Sequence, residues 1–167
     1  MNDRNPNGIR TSCLSPGAVV VLVLAGCMGD GDMGSAGRAM SDGLEQVRQA
    51  GGVVRSGLEA YRSGRADEGM TMVSEGLDRM HGGMEGMRGG MTSMHGSGSM
   101  DCCMEAMDSA MSMMSGGMDM MDAGAGMMDD GDMGNDASGM SMMESGMGSM
   151  DSGADAMDGA LGCGAMM

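Results

Sequence analysis

The chain has no lysine, no phenylalanine and no tryptophan, a single tyrosine and only two prolines. Aromatic rings ordinarily supply much of a core's buried area, so any core here must rest on Met, Ala, Val and Leu. Without lysine, all nine basic residues are arginine, and none follows Arg88. At a net charge of −15 there is no basic patch to neutralise phosphate, which argues against nucleic acid as a partner. The C-terminal half is purely acidic, a setting that attracts cations. There are two histidines, no nucleophile with a base close by, and no phosphate-binding loop. The chain therefore reads as a non-enzyme.

What is present is just as skewed. Of 167 residues, 31 are Met and 34 are Gly. All the methionines except Met1, Met28, Met33 and Met40 lie from Met70 onward, and that stretch holds only two leucines, Leu77 and Leu161. Residues 70–94 set the pattern. Apolar side chains fall at Met70, Val73, Leu77, Met80, Met84, Met87, Met91 and Met94. Steps that alternate three and four are the heptad signature of a helix packing against other helices.

The same spacing recurs in three further segments. The first reads Met40, Leu44, Val47, Gly51, Val54, Leu58, Tyr61, with Asp42 and Glu45 placed as a capping box. Ser63 and Gly64 form a stop signal, and Asp67 and Glu68 suit the first turn of the next helix. After the break at residues 95–99, which Ser99 or Asp101 can close as a cap, comes Met100, Met104, Met107, Met111, Met114, Met118, Met121, Ala125, Met128. After the acidic break at residues 129–136 comes Met140, Met143, Met147, Met150, Ala154, Met157, Leu161. The expected fold is all-α. Helices at about 40–62, 66–95, 100–128 and 136–162 form an antiparallel up-down-up-down four-helix bundle with a Met-lined core over residues 40–162. A tail of residues 163–167 follows. Glycines inside these segments, among them Gly82, Gly83, Gly86, Gly89, Gly90, Gly116, Gly117, Gly146 and Gly148, each cost about 1 kcal/mol relative to Ala. They set a loosely packed apo-protein, or a low-complexity tail after residue 95, against the bundle.

Residues 1–26 read as an export signal. A leader carrying Arg4 and Arg10 ends at Pro16 and Gly17, and an apolar run over residues 18–25 follows, too short for a stable membrane anchor. It ends in Leu24-Ala25-Gly26-Cys27, which resembles the lipobox of bacterial lipoproteins. The resemblance implies cleavage before Cys27, acylation of Cys27, and attachment to the bilayer of the bacterial cell envelope. Met28 stands where an inner-membrane retention Asp is absent, which points to the outer membrane facing the periplasm. Residues 27–39 are then the lipidated Cys and a flexible linker. Cys13 leaves with the signal, so Cys102, Cys103 and Cys163 remain as thiols.

The choice of Met over Leu carries the functional reading. Leu packs with better-defined rotamers, whereas Met adds a thioether, a soft neutral donor suited to Cu(I) or Ag(I). It also stays usable where thiols tend to pair. Met111-Ser-Met113-Met114, Met118-Asp-Met120-Met121 and Met140-Ser-Met142-Met143 resemble the MxM and MxxM clusters of methionine-rich periplasmic copper-binding proteins. The architecture is similar in idea to four-helix copper storage proteins, whose lining is Cys rather than Met. The resemblance implies Cu(I) or Ag(I) as cofactor, a copper-handling protein as partner, and a buffering role. The candidate thioether ligands are Met80, Met84, Met87, Met91, Met94, Met104, Met107, Met111, Met114, Met118, Met121, Met140, Met143, Met147 and Met150. The alternative is a structural or adaptor lipoprotein whose methionines serve packing, partner binding or oxidant scavenging.

In the up-down-up-down arrangement one end gathers His95, Cys102, Cys103 and Cys163 near Met91, Met94 and Met104. That end reads either as a Cu(I) entry site or as a disulfide from Cys163 to Cys102 or Cys103. His81 reads as a surface residue. Met113, Met120 and Met127 form a further row at spacing seven, read equally as ligands or as a contact face. The acidic loop at residues 129–136 lacks the Glu of a calcium loop, Ser141 standing at position twelve from Asp130. If the lipobox reading holds, Cys27→Ser abolishes incorporation of labelled palmitate and moves the protein from the membrane to the soluble fraction of a bacterial host. Undiminished labelling would refute it.

Overall fold

The computed structural model describes residues 32–95, 101–129 and 133–162. Of residues 32, 33, 95, 101–103, 133 and 162 only the backbone course is described. The described chain forms four helices and no strand: α1 (Asp32–Arg62), α2 (Ala66–His95), α3 (Asp101–Asp129) and α4 (Met133–Gly162). The signal segment, Cys27, Ser99, Met100 and Cys163 lie outside the described residues, as do residues 130–132.

The turn between α1 and α2 follows from local chemistry. Gly64 takes φ +81°, a left-handed conformation open to Gly at little cost. The Arg65 amide donates to the Ala60 carbonyl at 3.0 Å and the Gly64 amide to the Tyr61 carbonyl at 3.0 Å. This is the Schellman arrangement that satisfies the last carbonyls of a helix. One residue later α2 begins, with Asp67 and Glu68 in its first turn, where the helix dipole favours acids.

The start of α1 departs from the sequence reading. The helix begins at Asp32, eight residues before Met40 and inside the stretch read as a flexible linker. Asp42 and Glu45 consequently lie within the helix rather than capping it. The reason lies in α2. Ala36 is buried, and its carbonyl oxygen is 2.9 Å from where a Cβ on Gly90 would stand. Packing against the end of α2 outweighs the low propensity of Gly34 and Gly37, as tertiary contact commonly does for short amphipathic segments.

Small residues recur at every seventh position. They fall at Ala36, Gly43, Ala50 and Gly57 on α1, and at Gly69, Gly76, Gly83 and Gly90 on α2. On α3 they are Ala110, Gly117 and Gly124, and on α4 Gly139, Gly146, Gly153 and Ala160. They meet in pairs. A Cβ on Gly43 would lie 2.6 Å from the Gly83 carbonyl oxygen, and one on Gly83 2.7 Å from the Gly43 oxygen. Gly57 and Gly69 are apposed at 2.8 and 2.6 Å, Gly117 and Gly146 at 2.6 and 2.5 Å, and Gly124 and Gly139 at 2.5 and 2.6 Å. Residue numbers rise along one helix as they fall along the other, so α1–α2 and α3–α4 each run in opposite directions. Contacts within these two pairs dominate, and those of α2 with α3 and α1 with α4 are sparser.

Two groups of glycines stand at opposite extremes. Where two glycines face each other across a seam, the propensity cost is offset by a backbone approach that a Cβ would block. Gly89, Gly116, Gly126 and Gly148 have nothing within 4 Å of a built Cβ, so their cost stands uncompensated. Gly116→Ala and Gly148→Ala should each raise stability by about 0.5–1 kcal/mol. Gly124→Ala and Gly146→Ala should lower it by about 1–3 kcal/mol through overpacking. Thermal melts followed by circular dichroism distinguish these signs, and equal shifts for both groups would contradict the close approach.

Candidate soft-metal centre

Beside each seam residue, on the core side, stands the residue that packs over the partner's glycine. The Met87 Cγ lies 2.8 Å from a Cβ built on Gly43, and the Met40 Cγ 2.5 Å from one on Gly90. Val47, Val54 and Val73 seat the same way over Gly83, Gly76 and Gly57. On the α3–α4 seam methionine takes these seats: Met114 over Gly153, Met121 over Gly146, Met128 over Gly139, Met143 over Gly124 and Met150 over Gly117. Each missing Cβ makes room for the stem of a long unbranched side chain, and Met has the flexibility to fill it.

The burial pattern follows. Among the candidate ligands, Met80, Met84, Met87, Met91, Met94, Met104, Met107, Met111, Met114, Met118, Met121, Met143, Met147 and Met150 are buried in one apolar cluster. Met40, Met128 and Met157 join it, and Met70 and Met140 pack against it partly buried. On α1 the cluster is otherwise Ala, Leu and Val; on α3 and α4 it is Met and Ala. No buried polar or charged residue interrupts it among the described residues. A cation entering it would meet neutral thioether sulfur and no charged donor.

The charges lie outside. Arg48, Arg55 and Arg62, seven residues apart on α1, face Asp158, Asp151 and Glu144, seven apart on α4. Arg48 Nη2 is 2.5 Å from Asp158 Oδ2 and 3.3 Å from Asp155 Oδ1, Arg55 Nη2 is 2.5 Å from Asp151 Oδ2, and Arg62 pairs with Glu144. The hydrogen bond to Asp158 holds the Arg48 guanidinium above its ordinary pKa, against a smaller opposing effect of burial. These pairs are solvent-exposed, so each contributes about 0–1 kcal/mol. Their regular spacing marks the faces of α1 and α4 that meet. On the opposite side His81 Nε2 stands 3.5 Å from Asp122 Oδ2, with Nδ1 donating to the Leu77 carbonyl at 3.1 Å. His81 is exposed, as a surface histidine should be.

The Cys and His end stands differently. Cys163 lies outside the described residues, as do the side chains of His95, Cys102 and Cys103, so their metal or disulfide role is carried by sequence alone. Among the described residues no three His, Cys, Asp or Glu side chains converge on a point. An open groove between the start of α2 and the end of α3 holds Glu75, Asp78, His81, Asp122 and Asp129 around a volume of about 600 Å³; these groups too do not converge. No described helix is long and apolar enough to cross a membrane.

If packing alone required Met at these seats, Leu would not serve; if shape is nearly conserved, it should. Met114→Leu and Met121→Leu are expected to cost less than about 1.5 kcal/mol each, read from chemical denaturation of the metal-free protein. A loss above 3 kcal/mol would make the thioether stem itself indispensable to packing. No family model, curated protein or solved structure matches this chain.

Proposed function

We propose that this chain is a lipoprotein of the bacterial cell envelope, anchored through acylated Cys27, that binds and buffers Cu(I) or Ag(I) with methionine thioethers. In this reading the four helices close as an up-down-up-down bundle whose interior is lined by Met, facing the periplasm from the outer membrane. A copper-handling protein is the natural exchange partner. One observation carries the reading: among the described residues, the buried side chains of α3 and α4 are Met or Ala throughout, set between seam glycines, where Leu would pack with better-defined rotamers. Thioethers bind soft monovalent cations without losing a proton, so affinity should depend little on pH, unlike that of thiolate or imidazole sites.

A second reading is favoured by the glycine seats. Met143 and Met121 fill them closely, so methionine could serve packing alone, in a structural or adaptor lipoprotein. Anaerobic Cu(I) titration of the full chain in detergent, against a chromogenic chelator, separates the two. Soft-metal binding predicts that several equivalents are withheld from micromolar chelator. It also predicts that Leu at Met114, Met121, Met143 and Met150 lowers that number while leaving the helical circular dichroism in place. A chain that holds no Cu(I) under these conditions is the structural protein of the second reading.

A further inference from the structure

The three MxMM motifs divide their methionines between inside and outside. In Met111-Ser-Met113-Met114, Met118-Asp-Met120-Met121 and Met140-Ser-Met142-Met143, the first and fourth positions turn inward. Met111, Met114, Met118, Met121 and Met143 are buried and Met140 is partly buried. The third position lies about 200° round the helix from the first, on the outer flank of the α3–α4 seam. There Met113 is 40% exposed, and Met120 and Met142 are half-buried. Met127 is half-buried on the same flank, 3.3 Å through its Cβ from one built on Gly139.

The glycine pairs place these residues relative to one another. Met120 is three residues beyond Gly117, and Met142 three beyond Gly139. Gly117 faces Gly146, and Gly124 faces Gly139. In that antiparallel register Met120 and Met142 stand across the seam within about one residue's rise, ~1.5 Å. The backbones touch there, so the two flanks are closer than the 8–10 Å axis separation of ordinary helix pairs would set them. The exposed residues three or four positions from them along the same flank are Gly116, Ala123, Ser138 and Ser145, none charged, while the exposed Asp119 beside Met120 lies about 100° further round the helix. The matching flank of α1–α2 carries Gln46, Val53, Arg79 and Ser93 beside a single Met72. A core has no use for water-facing thioethers, and a hard cation would find no carboxylate between these two. Paired neutral sulfurs suit a soft monovalent ion.

We propose that Met120 and Met142, flanked by Met113 and Met127 about 10 Å to either side along α3, form a solvent-facing capture site for Cu(I) or Ag(I), filled before the buried thioethers. The proposal rests on the soft-metal reading above and adds an order of loading to it. The test uses the full chain in detergent with 13C-labelled methionine methyl groups, titrated with silver nitrate and followed by NMR. The Met120 and Met142 methyl signals should move at the lowest silver ratio, and the buried signals later. In the M120L/M142L variant, whose metal-free methyl spectrum should otherwise match the parent, the buried signals should respond at least tenfold more slowly after mixing. Buried signals that move while Met120 and Met142 stay fixed, or a variant that loads at the parent rate, would overturn the capture site and leave buried binding standing. No movement of any methionine signal would remove both.

Discussion

The fold depends on a missing atom. At Gly43, Gly57, Gly69, Gly83, Gly117, Gly124, Gly139 and Gly146 a Cβ would stand within 3 Å of the facing backbone carbonyl, so each helix pair approaches as closely as two backbones allow. That approach is obtained at about 1 kcal/mol of helix propensity per glycine. It is repaid by dense packing of the neighbouring side chain into the space the Cβ leaves. Everything else in the molecule adapts to these two seams. The turn at Gly64 returns the chain in register, Ala36 draws α1 eight residues further than Met40, and the arginines of α1 align with the carboxylates of α4.

A glycine seat and a methionine knob are complementary. Leu branches at Cγ, close to the backbone, whereas Met keeps an unbranched stem and carries its bulk outward. Over Gly43 or Gly124 that stem, Met87 or Met143, passes against backbone through its Cγ. The mixed Val and Met of the α1–α2 seam show that a seat does not demand Met. The unbroken Met series of α3–α4 is therefore the part of the pattern for which packing has the weakest explanation and sulfur chemistry the strongest.

The four helices were legible because a three-four spacing of apolar residues has one ready structural meaning. The start of α1 was not legible. Gly34 and Gly37 weaken local propensity and Asp42 with Glu45 imitates a cap, while the partner that stabilises Ala36 is Gly90, far along the chain. The glycines were visible at spacing seven but read as a cost, since their benefit appears only when Gly83 is set against Gly43. Arg48, Arg55 and Arg62 likewise show their period in the sequence but not their choice of Asp158, Asp151 and Glu144. Of the candidate site, the buried methionines followed directly from the helix stripe. The inward and outward division of each MxMM motif needed the facing helix to be known.

The central claim is that thioether sulfur holds the metal. X-ray absorption at the copper K-edge, taken on the Cu(I)-loaded full chain under anaerobic conditions, reads the donor atoms directly. A sulfur-only first shell, retained when Cys102, Cys103 and Cys163 are all replaced by Ser, is the predicted result. A shell of nitrogen or oxygen, or sulfur scattering that disappears with the three cysteines, would contradict it.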